Sequence, residues 1–402
     1  MNKAKTPKRR MMRAATSLTA IALWSTGAFA QDTIKMGGIM SMTGGGASIG
    51  VVADNAWRMA IDEINEAGGI LGKKVEYVLA DTMTDPTHGV SETRRLIENE
   101  GIQILVGPAT SQETMGITAV TSEKKIVQLS TAASTDLTPA FAPYHFTSSV
   151  TGLNQMKANV DYAIDVLGLK KLALISDNGG MSKAAVTEIV AYMTERGNEP
   201  VIVQEFPFRT EDMTPQLLSM RSSGAEAVLL INSIGDDSRK FLENRADIGW
   251  EAPVLASMTT QNYAVGNARL LGDDAFNDVY ATQFVGMTFC PGDAVGESAF
   301  AKFAERARAR IPNIDQMGGP SALNPYFMLP MVAAAAANGA GSTDGDAMKA
   351  WLETKAGEIV VMQGAVNASP ESHFLPAVES VVVVRNPHKP REDGLVERAV
   401  CN

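Results

Sequence analysis

From Thr33 onward, short aliphatic runs alternate with longer stretches whose apolar residues recur at helical spacing, and the alternation runs twice. Residues 34–40, 75–80, 102–106 and 126–129 read as strands, with residues 51–66, 85–99 and 112–123 as helices between them. Ala56, Met59, Ala60 and Ile64 give the first of these helices one apolar face, and Gly68-Gly69 end it. The rhythm restarts with strands at 172–176, 200–206, 227–231 and 254–256 and helices at 182–195, 214–222 and 236–246. A strand, a helix and a second strand of one sheet make a crossover, so the strands run parallel and helices cover both faces. Two such blocks, divided near residues 141–150, predict an α/β protein of two lobes, each a doubly wound parallel sheet.

The rest of the chain makes no third block. Residues 296–310, 326–338 and 346–355 read as helices and 375–384 as a strand, too few elements for a domain of their own. They are expected to complete the two lobes, so the chain crosses between them more than once. The expected partition is lobe I over 31–146, lobe II over 147–284, a return to lobe I over 285–358, and a C-terminal segment, 359–402, returning to lobe II and the hinge.

The first thirty residues read as an export signal rather than as structure. Lys3, Lys5, Lys8, Arg9, Arg10 and Arg13 form a basic stretch, residues 14–24 are apolar or small, and Ala28-Phe29-Ala30 offers a cleavage site before Gln31. The apolar run is shorter than the ~20 residues a membrane helix needs. Arg9-Arg10 leaves the general and twin-arginine export routes both open, and no cysteine stands after the cleavage point to carry a lipid. Removing six basic residues and no acidic one takes the formal net charge from −10 to −16. An acidic chain without a basic patch is a poor partner for nucleic acid or an anionic membrane surface. The two cysteines, Cys290 and Cys401, have no zinc-ligand spacing. Export into an oxidising compartment makes a bridge between them the expectation, with two free thiols as the alternative.

Signatures of catalysis are sparse. His88, His145, His373 and His388 show no metal-ligand spacing, and neither a G-x-S-x-G elbow nor a phosphate-binding Walker loop occurs. No enzyme activity, cofactor or metal is expected. Gly44-Gly45-Gly46 follows a strand and precedes a helix but lacks dinucleotide-loop spacing, and reads as a tight turn that something approaches closely. Open α/β sheets bind ligands beyond the carboxyl ends of their strands. Those ends carry Thr110-Ser111 and Ala132-Ala133-Ser134, two loops with hydroxyls, small side chains and accessible N–H groups. Ser111 opens a helix, whose free N–H groups and dipole favour a carboxylate. Thr110 also fits a helix cap closed by Glu113, which accounts for Thr110 but not for the second loop.

With these residues in view the chain resembles the leucine/isoleucine/valine-binding family of ABC-transporter receptors. The resemblance rests on Ile34-Lys35-Met36-Gly37, Ser41-Met42-Thr43-Gly44, Ala60-Ile61-Asp62-Glu63-Ile64-Asn65 with Ala67-Gly68-Gly69-Ile70-Leu71-Gly72, residues 81–86, Val106-Gly107 and Ser130-Thr131-Ala132-Ala133-Ser134. It implies a type I periplasmic-binding-protein fold with three crossovers as the hinge and a small-molecule ligand in the cleft. It also implies a periplasmic location, a membrane permease as partner, a monomer and no catalysis. In amino-acid-binding members the loops matching Thr110-Ser111 and Ala132-Ala133-Ser134 hold the ligand carboxylate.

The second lobe departs from that pattern. Positions that are aromatic in amino-acid binders fall at Ile49, Met181 and Ile234, the acidic partner of the ligand ammonium falls at Met258, and an arginine after the first crossover falls at Thr147. A buried ammonium without a carboxylate is costly, and methionine packs well on aromatic rings. The expectation is therefore a small carboxylate, in particular an aromatic acid. An amino acid of the branched-chain type or an amide is the alternative, with Asp177, Asp236 or Asp237 supplying the charge. A sensor module or an enzyme has less support in the sequence.

Overall fold

The computed structural model describes residues 1–4 and 33–401. All but the first four residues of the expected signal peptide lie outside the described residues. Five strands make the first sheet: β1 (Ile34–Met40), β2 (Val75–Asp81), β3 (Ile104–Val106), β4 (Val127–Ser130) and β5 (His145–Thr147), in the order β2-β1-β3-β4-β5. All four pairings are parallel, with Met36 opposite both Tyr77 and Ile104. The crossovers are α1 (Ala47–Glu66), α2 (Pro86–Glu98) and α3 (Ser111–Lys124). Asp85 caps α2 through the N–H groups of Thr87 and His88, with Pro86 at the first helical position where a missing N–H costs nothing.

The second block holds α4 (Gly152–Asp161), β6 (Leu172–Asp177), α5 (Gly180–Glu195), β7 (Ile202–Phe206), α6 (Thr214–Ser222), β8 (Ala227–Ile231), α7 (Gly235–Asp247), β9 (Val254–Ala256), α8 (Met258–Leu271) and β10 (Val279–Phe284). Every residue of β6 and β8 is buried, as sheets covered on both faces require. β11 (Thr288–Phe289), α9 (Ala299–Arg310), α10 (Pro320–Ala340), α11 (Gly345–Lys355), β12 (Val381–Arg385) and β13 (Val396–Glu397) follow. The second sheet runs β12-β10-β9-β8-β6-β7, with β12 antiparallel to β10. Phe300 and Phe303 of α9 and Leu323 and Leu329 of α10 share one core with Ile34, Trp57 and Ile104, so the late helices pack on the first sheet.

Three segments lie side by side between the lobes. Thr147 donates its N–H to the carbonyl of His373 and accepts that of Leu375, while Gly286 bonds to Gln363. A Cβ on Gly286 would stand 2.0 Å from the carbonyl oxygen of Met362, so only glycine allows that approach. Cys290 and Cys401 are paired, with Cα atoms 5.8 Å apart, next to the short β11–β13 ladder.

Several elements differ from the sequence reading. The helix expected at 326–338 begins at Pro320 and contains Pro325 and Pro330. An interior proline costs about 3 kcal/mol, but each buried leucine or phenylalanine returns about 1.5–3 kcal/mol. α10 buries Leu323, Phe327 and Leu329 among others. The strand expected at 375–384 is confined to Val381–Arg385. Pro376 lacks a ladder donor, and the chain makes a 3₁₀ turn over Val378–Ser380 first. α4, α8, β5 and β10 were not legible in the sequence. α8 carries polar residues along much of its length and Gly266 in its interior, and β5 has three residues.

Candidate ligand-binding site

The site forms where β3 and β4 end and the second lobe faces them. Thr110 caps α3: its hydroxyl accepts from the N–H of Glu113 at 3.4 Å and donates to the Glu113 carboxylate at 2.5 Å. Glu113 is wholly buried and also receives the hydroxyls of Ser41 and Thr82. The capping reading of Thr110 therefore describes its hydroxyl, although the residue does border the cavity. Ser111 is different. Its Oγ accepts the N–H groups of Ala133 at 3.1 Å and Ser134 at 3.2 Å, which leaves its own proton to be donated elsewhere. Ser111 lines a cavity of about 80 Å³ at the first turn of a helix. At roughly 10–15 Å³ for one water, that space suits a small molecule and not a peptide.

Six of the nine residues singled out from the sequence border this cavity: Ile49, Thr110, Ser111, Ala133, Met181 and Met258. Three do not. Ala132 is turned into the loop, its N–H bound to Ser130 Oγ and its carbonyl to Thr147 Oγ1. Ser134 is fully buried, with its hydroxyl engaged in the turn at Asp136. Ile234 is packed in the core behind the wall, and its carbonyl accepts from Asn232. The N–H groups of Ala133 and Ser134 in the second loop already have an acceptor in Ser111 Oγ, whose own proton remains to be donated at the cavity wall.

The sequence reading missed Ser149, Gln155, Asn262, Tyr263, Phe284 and Tyr326, all of which border the cavity. Ser149 stands in the loop before α4, the others come from α4, α8, the end of β10 and α10, and three of those elements were not read from the sequence. Gln155 holds the far wall: its amide donates to the carbonyl of Val150, and its oxygen accepts the N–H of Met258. The buried Tyr263 hydroxyl faces that of Tyr326. Burial pushes the Tyr263 and Tyr326 hydroxyls up, so both stay protonated.

Among the described residues no charged side chain borders the cavity. Asp177 is buried behind it. Its Oδ1 accepts the Gly179 N–H at 2.8 Å and the Ser233 hydroxyl at 3.1 Å, and its Oδ2 accepts the Ser233 N–H at 2.5 Å. Desolvation raises its pKa, while the Ser233 and Gly179 N–H groups pull it down. Asp237 is also buried, pushed up to about 7 mainly by desolvation and further by the charges of Asp177 and Asp236. Asp236 lies at the outer edge, where Ser48 donates to it at 3.3 Å. Among the described residues no group of histidines, cysteines or acids has the arrangement of a metal site, and no helix is long and apolar enough to cross a membrane.

Residues 33–385 match the family model for the periplasmic binding protein. A Leu/Ile/Val-binding protein homologue from Brucella melitensis is 27% identical over 262 residues, 63% of this chain and 71% of that protein. Two solved structures share the fold at lower identity. The branched-chain amino acid transporter substrate binding protein LivJ of Streptococcus pneumoniae, in complex with isoleucine, is 21% identical with a TM-score of 0.74, covering 91% of this chain and 98% of that one. An ABC-transporter solute binding protein of R. palustris in complex with 4-hydroxybenzoate is 18% identical with a TM-score of 0.76, covering 92% and 96%. With a parallel-sheet lobe on each side of a small cleft and a family match over nearly all the described residues, the chain belongs to the periplasmic binding protein family and has the type I fold.

Proposed function

We propose that this protein is the extracytoplasmic receptor of an ABC importer for a small carboxylate with an apolar body, an aromatic acid in particular. The observation that carries the reading is the composition of the cavity wall. Ser111 presents a hydroxyl at the start of α3, Ile49, Met181, Met258 and Phe284 give the cavity apolar lining, and among the described residues no carboxylate faces the space. A ligand ammonium would lose its water without gaining an acidic partner, and burying an isolated charge is far more costly than burying a hydrogen-bonded one. A carboxylate is supported by hydroxyl donors and the helix terminus, and an aromatic ring by the methionines.

In this reading residues 1–30 direct export to the periplasm and are removed, and the Cys290–Cys401 bridge forms there. Residues 31–146 and 285–358 make lobe I, residues 147–284 lobe II, and residues 359–402 return to lobe II and the hinge. The protein acts as a monomer that delivers its ligand to a membrane permease, without catalysis. Calorimetry against benzoate, 4-hydroxybenzoate and leucine tests the ligand class. Binding of the aromatic acids and none of leucine is expected. Tight leucine binding with no response to either acid would overturn the reading in favour of an amino-acid receptor.

A further inference from the structure

Gly44-Gly45-Gly46 stands at the lip of the cleft, and the close approach expected of it is made by an arginine from the other lobe. Arg209 lies in the loop after β7 with a φ of 65°, and its N–H is held by Asp237 Oδ2 at 3.2 Å. Its guanidinium crosses to the glycine turn. A Cβ placed on Gly45 would fall 1.4 Å from Arg209 Nη1 and 1.7 Å from Cζ. Gly45 is buried although its neighbours Thr43 and Gly44 are exposed. Gly44 has a φ of 73° and needs glycine for its backbone, but Gly45 is not in the positive-φ region. Glycine at 45 therefore serves space, not conformation. Two further contacts join the same lips. Ser48 donates to Asp236 at 3.3 Å, and Gly180 at the start of α5 lies against the first turn of α3, where a Cβ would stand 3.1 Å from the Gln112 nitrogen.

We infer that Arg209 and Gly45 form a clasp that holds the receptor closed, with Arg209 as a positioning residue that never touches the ligand. This rests on the reading of the protein as a receptor that closes. The two residues belong to opposite lobes, so their contact exists only when the lips meet. A contact made in one state alone shifts the equilibrium toward that state. Its loss therefore appears as faster ligand release, with capture little changed. A flat guanidinium fits over a bare backbone, whereas a lysine ammonium is compact and strongly hydrated. The side chain that a Cβ at 45 would meet is the far end of a flexible arginine, so Gly45→Ala displaces the clasp without disturbing the fold.

Stopped-flow measurement with 4-hydroxybenzoate as the probe tests the clasp. Gly45→Ala and Arg209→Ala should each weaken binding by about tenfold, mostly through the dissociation rate, and the double variant should match either single one, as contacting residues do. Arg209→Lys should recover little, and the melting temperature without ligand should not move. Unchanged affinity, or effects that multiply in the double variant, would overturn the clasp. If the wild type fails to bind 4-hydroxybenzoate, the ligand class is wrong, and the clasp is then decided on ligand-free protein by the distance between a label on each lobe. Both variants should shift that distribution toward the open form by the same amount, and an unchanged distribution overturns the inference.

Discussion

The carboxylate of Asp177 receives both the N–H and the hydroxyl of Ser233, so a buried acid close behind the cavity serves as a brace between the β6–α5 and β8–α7 loops. Ser233 forms part of the cavity wall, and Asp177 does not. Asp177 was one of three acids that the sequence left as partners for a ligand ammonium. The other two face Arg209 and Ser48. This arrangement supports an acid without an amine as the ligand.

Ser111→Ala should weaken 4-hydroxybenzoate by at least tenfold. The substitution removes the hydroxyl donor and also leaves the buried N–H groups of Ala133 and Ser134 without their acceptor. A hydrogen bond to a charged group contributes about 1.5–3 kcal/mol. Titration calorimetry of the variant beside the wild type checks this, and Ser134→Ala, whose hydroxyl faces Asp136, should change affinity less than threefold by the same measurement.

Met258→Glu should abolish binding of aromatic acids. Met258 is nearly fully buried and borders the cavity, so the new carboxylate would face that of the ligand at short range. A loss of two orders of magnitude or more is expected from like charges in a poorly hydrated site. Calorimetry should also find leucine binding improved in this variant, because its ammonium gains an acid.

Asp237→Asn should stabilise the protein at neutral and alkaline pH. Burial raises the folded carboxyl from its ordinary value near 3.8 to about 7. The folded state therefore holds this proton more tightly than the unfolded chain does. Its favourable contribution is complete below about pH 4 and is lost as pH rises through 7. The variant keeps an acceptor for the Arg209 N–H and carries no charge to bury. Urea unfolding at pH 8 should show a gain on the order of 3 kcal/mol, shrinking toward zero at pH 4.

Cys401→Ser should lower the melting temperature of protein recovered from the periplasm. The bridge to Cys290 spans 111 residues in sequence, and closing so long a loop restricts the unfolded chain by up to about 4–5 kcal/mol in the entropic account. Calorimetric scans of the two proteins, with thiol titration of the wild type under denaturing, non-reducing conditions, check both the bridge and its effect. Two titratable thiols in the wild type would remove the basis of this prediction.

The sequence by itself determined the strand–helix rhythm, because a buried parallel strand is written locally as an apolar run and a covering helix as a periodic face. β1, β6, β8, α1 and α5 were legible for that reason. The same local writing placed Ser111 at a helix start beyond a strand. Only the tertiary structure decided which hydroxyls reach the cavity. Ser111 and Ser134 look alike in sequence, but one hydroxyl collects two N–H groups at the wall and the other turns to Asp136. The far wall was not legible, because Gln155, Asn262, Tyr263 and Tyr326 lie on α4, α8 and α10 and meet only through packing between distant segments. Gly45 shows the same limit. A glycine run in sequence marks a place where something comes close, and that the visitor is Arg209, 164 positions later in the chain, is fixed by how two lobes meet across a cleft.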